Sequence, residues 1–181
     1  AAQVDLNKAY NRVNRNLLWA KLKEMNVPTE RIKAIESTYT HCRESIQLGA
    51  SVGPAYDLLM GLRQGSVLSP LLFILYTASL LDELNGSGTG IDTHHDVFTK
   101  LCAIMFVDDL FALSTNLDDL KIQVDAITDW ALEPNGVVSF EKSTITTVTL
   151  TDDQLAQLKI TCPHIKHTGT TIHLGTKLNL N

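Results

Sequence analysis

Cys102-Ala-Ile-Met-Phe106-Val-Asp108-Asp109-Leu110-Phe-Ala-Leu113 places two adjacent acids in the middle of otherwise apolar sequence. Leu101 to Phe106 and Leu110 to Leu113 are runs of strand length, so the stretch reads as a hairpin with Val107-Asp108-Asp109 at its tip. Burying unpaired carboxylates is unfavourable and two side by side repel. Two arrangements resolve the conflict: exposure at a turn, where Asp is a favoured residue, or a bound divalent cation. The pair by itself leaves both open.

A further acid lies at the start of the chain. Asp5 closes the strand-like stub Val4-Asp5-Leu6, and if that strand neighbours the hairpin, three carboxylates can converge on one point. Mg²⁺ prefers octahedral oxygen donors and usually takes one or two carboxylates together with substrate phosphates. Two such ions about 4 Å apart serve in-line phosphoryl displacements.

Around these acids the chain alternates helices and hairpins. Val13, Leu17, Leu18, Leu22 and Met25 recur at helical spacing up to Pro28, and Thr29 is placed to cap a second helix carrying Ile32, Ile35 and Tyr39. Arg43 to Leu48 alternates as a strand, Gly49 to Pro54 forms a turn, and Ala55 to Leu62 returns. Ser69-Pro70 opens a helix that is apolar nearly all round through Leu84 and is therefore expected to be buried. Asn85 to Gly90 reads as a flexible loop. Its glycines resemble a phosphate-binding loop only superficially, because they follow a helix and not a strand. Asn116 is placed to cap a helix with Asp118 and Asp119 in its first turn and Leu117, Leu120, Val124 and Ile127 facing inward. A strand over Thr144 to Leu150, a short helix near Asp152 to Leu158 and one or two final strands complete an α+β fold, a small antiparallel sheet with helices on one face.

The chain has 181 residues, 44% of them hydrophobic, which points to one domain with a real core. No apolar run approaches the roughly 20 residues that span a bilayer, and Leu71 to Tyr76 is hemmed in by Ser69, Pro70, Thr77 and Ser79. No membrane association is expected, and neither a basic n-region nor an apolar h-region marks the N-terminus as a secretory signal. Cys42, Cys102 and Cys162 follow no disulfide spacing, in keeping with reduced thiols in an intracellular protein. The net charge of −5 conceals an asymmetry. Residues 1 to 63 hold nine Lys or Arg against six Asp or Glu, whereas residues 64 to 181 hold six against fourteen. A nucleic-acid track, which needs basic surface, would therefore lie mainly on the first third.

Three segments in series carry a family resemblance. Asp5-Leu-Asn-Lys-Ala-Tyr10 is similar to motif A of reverse transcriptases, Gln64-Gly65-Ser-Val-Leu-Ser69-Pro70 to motif B, and Phe106-Val-Asp108-Asp109 to the aromatic-x-Asp-Asp of motif C. Gly136-Val-Val-Ser-Phe-Glu-Lys142-Ser143 resembles the lysine-bearing motif D region, and Leu174-Gly175 the primer-grip motif E. With Arg12-Val-Asn-Arg-Asn-Leu-Leu18 and Gly61-Leu-Arg-Gln-Gly65, the style most resembles non-LTR retrotransposon and group II intron enzymes.

The resemblance implies a polymerase palm over residues 1–181, with most of the fingers and thumb lying outside it. It implies RNA-directed DNA synthesis from an RNA template, a DNA primer and a dNTP, with two Mg²⁺ ions, or Mn²⁺ in their place. Asp5 and Asp108 would be the principal metal ligands and catalytic acids, with Asp109 assisting, and Lys142 would sit near the leaving pyrophosphate. Leu6, Tyr10, Gln64 and Gly65 would bind substrate, Tyr10 as the gate against a ribose 2'-hydroxyl, the lesser alternative being a core aromatic five residues after a strand. Ser69 and Pro70 are assigned to helix capping. The rival reading is a retroelement-derived structural or RNA-associated component of a ribonucleoprotein particle. A different metal-dependent phosphoryl enzyme fits Asp5 and Asp108 but leaves Gln64 to Pro70 unexplained. Cys162, His164, His167 and His173 match no familiar zinc spacing, and His94-His95 reads as a solvated pair.

Overall fold

The computed structural model describes residues 1–6, 8–93, 100–132, 138–139, 141–146, 151–161, 165–168, 170–173 and 176–179. The chain forms two compact units, one of residues 1–9 with 77–181 and the other of residues 10–76. In chain order the second unit is inserted between the first strand and the rest of the first unit.

In the first unit, β1 (Ala2–Asp5), β8 (Ala103–Phe106), β9 (Asp109–Ala112), β10 (Thr144–Thr146) and β11 (Lys166–Thr168) build a five-stranded sheet in the order β11-β10-β1-β9-β8. The pairs are antiparallel except β10 with β11, which run parallel. Alternation along each strand separates two faces. Ala2, Val4, Leu110, Ala112 and Ile145 are buried on one, and Gln3, Asp5 and Asp109 stand on the other beside Phe111, which is itself buried. Each buried Val, Leu or Ile contributes about 1.5–3 kcal/mol relative to exposure, so the core face fixes the register; a slip by one residue would bury the acids.

Helix α5 (Leu117–Trp130) packs on β9, burying Leu120, Val124, Ile127 and Trp130 at helical spacing. Its N-cap is Asn116, as the sequence indicates, with Oδ1 accepting from Asp119 N at 2.8 Å. Helix α6 (Asp152–Thr161) runs three residues past the expected end. Small antiparallel pairs join β6 (Ile91–Asp92) to β7 (Lys100–Leu101) and β12 (Thr170–His173) to β13 (Thr176–Asn179). The segment read as a flexible loop is anchored in its second half. Thr89 and Gly90 are buried, Cys102 Sγ donates to Thr89 O, and Gln123 Nε2 donates to Thr89 Oγ1 at 2.9 Å. The anchoring groups lie far along the chain, which is why local composition did not reveal them.

In the second unit, the helical stretch breaks at Val13-Asn14 into α1 (Ala9–Arg12) and α2 (Arg15–Glu24), with Asn14 as the cap of α2. Trp19 is buried and Met25 is 40% exposed, because Met25 already lies past the last turn. Helix α3 (Thr29–Tyr39) starts with Pro28 at the N-cap position, so Thr29 belongs to the helix and does not cap it. The expected long hairpin is a ribbon of short pairs: β2 (Arg43–Glu44) with β5 (Tyr56–Asp57), and β3 (Gln47–Leu48) with β4 (Ser51–Val52). Helix α4 (Ser69–Gly86) begins in this unit and from Thr77 belongs to the first; it buries Leu72, Phe73, Tyr76, Leu80 and Leu84 but leaves Leu71 and Ile74 about half exposed, so its apolar girdle is only partly covered. Ser69 Oγ donates to Arg63 O at 2.6 Å, tying the preceding turn to the helix. None of the described helices is long and apolar enough to cross a membrane.

Candidate active site

The β8–β9 hairpin has Phe106 opposite Asp109, so Val107 and Asp108 form a two-residue turn. Val107 adopts φ +58°. Tight hairpin turns demand positive φ because only the mirror-image turns match strand twist, and Gly or Asn normally supply it. A β-branched residue there is a strained outlier, held because the two paired strands leave the turn no alternative. Asp108 is exposed at this tip.

On the neighbouring strand, Asp5 is the direct cross-strand partner of Asp109. Directly opposed residues share a face with Cβ atoms about 4.5–5.5 Å apart, and like charges so placed repel. Asp5 Oδ1 is buried without a hydrogen-bond partner, and the Lys142 ammonium stands 3.9 Å away, too far to donate to it. The Asp5 side chain is 33% exposed and that of Lys142 69%, so the pair is weakly held.

The backbone of Asp5 is fixed by residues whose part sequence reasoning missed. Its N–H donates to Ser143 Oγ at 3.2 Å, and its carbonyl accepts from Ser139 N at 2.8 Å. Ser143 is fully buried and its hydroxyl donates in turn to Ser139 O at 2.8 Å. A bridge between Leu6 and Val138 completes the clamp. The only signal in the sequence was the adjacency of Ser143 to Lys142. The region read as motif D thus braces the strand that bears the first acid. Leu6 is on the core face and 5% exposed, so its side chain is packed in the core.

Carboxylate oxygens suit a hard cation, and two carboxylates completed by substrate phosphates are an ordinary Mg²⁺ donor set. The orphaned Asp5 oxygen beside an opposed Asp109 is the local feature that fits one. Among the described residues, no three His, Cys, Asp or Glu side chains are gathered at metal-holding distance, so convergence of all three acids is not seen.

The remaining expected residues lie in the second unit. Tyr10 is half-buried and stacks on Phe73 with ring centroids 5.1 Å apart. Gln64 is exposed, its Nε2 donating to Asn11 Oδ1 at 3.2 Å. Gly65 has φ +80°, and a Cβ there would meet nothing within 4 Å. Glycine is thus needed for backbone conformation, and the space beside it is open. Asn7, His94, His95, Cys162, His164, Leu174, Gly175 and residues 136–137 and 140 lie outside the described residues, as do the side chains of His167 and His173.

With an acid-tipped hairpin beside an acid-bearing strand in a small helix-backed sheet, the arrangement is that of a polymerase palm. The sequence profile of the reverse transcriptase (RNA-dependent DNA polymerase) family matches residues 1–172, and the chain belongs to that family. Among solved structures it is similar to apo telomerase from Candida tropicalis truncated from the C-terminal domain, with a TM-score of 0.63 and 16% identity. The match covers 98% of this chain and 33% of that one, so the chain spans about a third of that protein's length. No curated protein sequence matches it.

Proposed function

We propose that this chain is the palm of an RNA-directed DNA polymerase of the non-LTR retrotransposon or group II intron type, working on an RNA template, a DNA primer and dNTPs. The observation that carries the reading is the Asp5–Asp109 opposition, with an orphaned Asp5 oxygen, one residue from the Asp108 turn.

Asp5, Asp108 and Asp109 would hold two Mg²⁺ ions, or Mn²⁺ in their place. The bound ions would lower the charge at the reacting phosphate and favour ionisation of the primer 3'-hydroxyl. In the reaction that oxygen attacks the α-phosphorus of the dNTP, a P–O bond forms, and the bond to pyrophosphate breaks as the hydroxyl proton is lost. Lys142, exposed beside Asp5, supplies a counter-charge or proton to the departing pyrophosphate. By the family resemblance alone, Tyr10 would bar a 2'-hydroxyl, Leu6 would meet the nucleotide through its backbone, and Gln64 and Gly65 would border the nascent base pair.

The test is primer extension by the full-length protein on an RNA template with Mg²⁺, alongside Asp108→Asn. Extension by the wild type and none by the variant is the expected result. Equal extension by both sinks the site assignment, and RNA binding without any extension by the wild type favours an RNA-associated structural component.

A further inference from the structure

The first residue of α2 reaches across to a segment more than 40 positions further along the chain. Arg15 Nε donates to Gly61 O at 2.8 Å, one terminal nitrogen to Leu58 O at 2.7 Å and the other to Met60 O at 3.2 Å. All three acceptors are neutral carbonyls, and among the described residues Arg15 forms no ion pair with a carboxylate. The carbonyls belong to one strap, residues 58–62, that leads directly into Gln64 and Gly65.

That strap is stitched to the segment beginning at Tyr10. Leu62 N donates to Tyr10 O at 2.7 Å and Gly61 N to Val13 O at 2.9 Å. Gly61 lies so close to Asn11 that an added Cβ would come within 2.7 Å of its carbonyl oxygen. The guanidinium also rests over the Tyr39 ring, 4.9 Å from its centroid, and the Tyr39 hydroxyl is 3.4 Å from Ser69 Oγ, which is bonded to Arg63 O. Contacts from Arg15 therefore close on both sides of the Arg63–Gly65 turn. Anchoring of α2 does not need them, since Leu18, Trp19 and Leu22 already bury its face.

We propose that Arg15 is a positioning residue for nucleotide selection, holding the 58–62 strap so that Tyr10 and the Gln64–Gly65 turn keep a fixed spacing. This rests on the polymerase reading above. A planar fork of five N–H donors can serve three carbonyls while stacking on a ring, whereas an ammonium cannot, so arginine and lysine are not equivalent here.

The test uses the full-length protein with Arg15→Ala and Arg15→Lys in single-nucleotide primer extension, with dNTP and rNTP compared. Misplacing a pocket by a fraction of an ångström points to a dNTP KM raised about tenfold and a dNTP-over-rNTP preference reduced by a similar factor, with kcat changed less. Lysine should restore only part of both. Amide exchange supplies a readout independent of turnover: Gly61 and Leu62 should exchange about tenfold faster in the alanine variant while α2 keeps its protection. Unchanged discrimination, KM and exchange overturn the proposal, as does faster exchange spread over the whole unit, the mark of a merely structural role. If Arg15→Ala does not fold, Arg15→Lys decides by the same measures. A wild type that extends no primer overturns the polymerase reading and the pocket role with it, whereas an active wild type with indifferent Arg15 variants overturns the positioning role alone.

Discussion

Asp5 on β1 and Asp109 on β9 are direct cross-strand partners, two carboxylates opposed on the face of the sheet away from Val4 and Leu110. Without a cation they repel. In chelator, Asp109→Asn should therefore raise the melting temperature by a few degrees, the scale set by roughly 1 kcal/mol in a chain of this size. Wild type should gain stability with millimolar Mg²⁺ or Mn²⁺ and the variant should gain less. Differential scanning fluorimetry with and without metal checks both, and a variant less stable than wild type in chelator would contradict the repulsion.

Val107 holds φ +58° at the hairpin tip. Relief of the left-handed penalty, about 1–2 kcal/mol for an L-residue, should make Val107→Gly as stable as wild type or up to about 1 kcal/mol more stable, despite the lost side chain. Urea denaturation measures it; destabilisation beyond about 1 kcal/mol would show that the valine side chain, and not the backbone, decides stability there.

Gly61 and Gly65 both have positive φ, yet only Gly61 has backbone atoms within 3 Å of a prospective Cβ. Gly65→Ala should cost about 1 kcal/mol from conformation alone, and Gly61→Ala several times that, because Asn11 must also shift. Equal losses in chemical denaturation would refute the distinction. Gly65→Ala should still impair extension, since the added methyl enters the open space that the proposed base pair would border.

Lys142 and Asp5 form a long, solvent-exposed ion pair. Lys142→Ala should change stability by less than about 1 kcal/mol, while loss of a proton donor or counter-charge slows nucleotide addition about a hundredfold. Single-turnover kinetics beside a thermal melt separates the two effects, and an unaltered rate would remove Lys142 from the proposed chemistry.

The order of elements was legible where side-chain pattern and burial coincide. The hairpin at Asp108-Asp109, the helix capped by Asn116 and the helix beginning at Ser69 all join an apolar period to a local start or turn signal. The ribbon between Arg43 and Asp57 was less legible, because its paired residues are all exposed and impose no alternation between inside and outside. That residues 1–9 group with 77–181 was not legible either, since contiguity in sequence does not record which distant segments pack together.

Sequence by itself picked out the groups proposed to carry the chemistry: the acids at 5, 108 and 109, the lysine at 142, and the glutamine and glycine at 64 and 65, each readable because charge in apolar surroundings and motif spacing are local properties. Tertiary structure alone decided that Asp5 opposes Asp109 while Asp108 occupies the exposed tip, because strand register is fixed by burial of Val4, Leu110 and Ile145 on the far face. It also decided that Ser139 and Ser143 clamp the Asp5 backbone, and that Arg15 gathers three carbonyls from residues 58–61. Those partners lie from 43 to 138 positions apart in the chain, and hydrogen bonds of that span follow from packing, which no local pattern records.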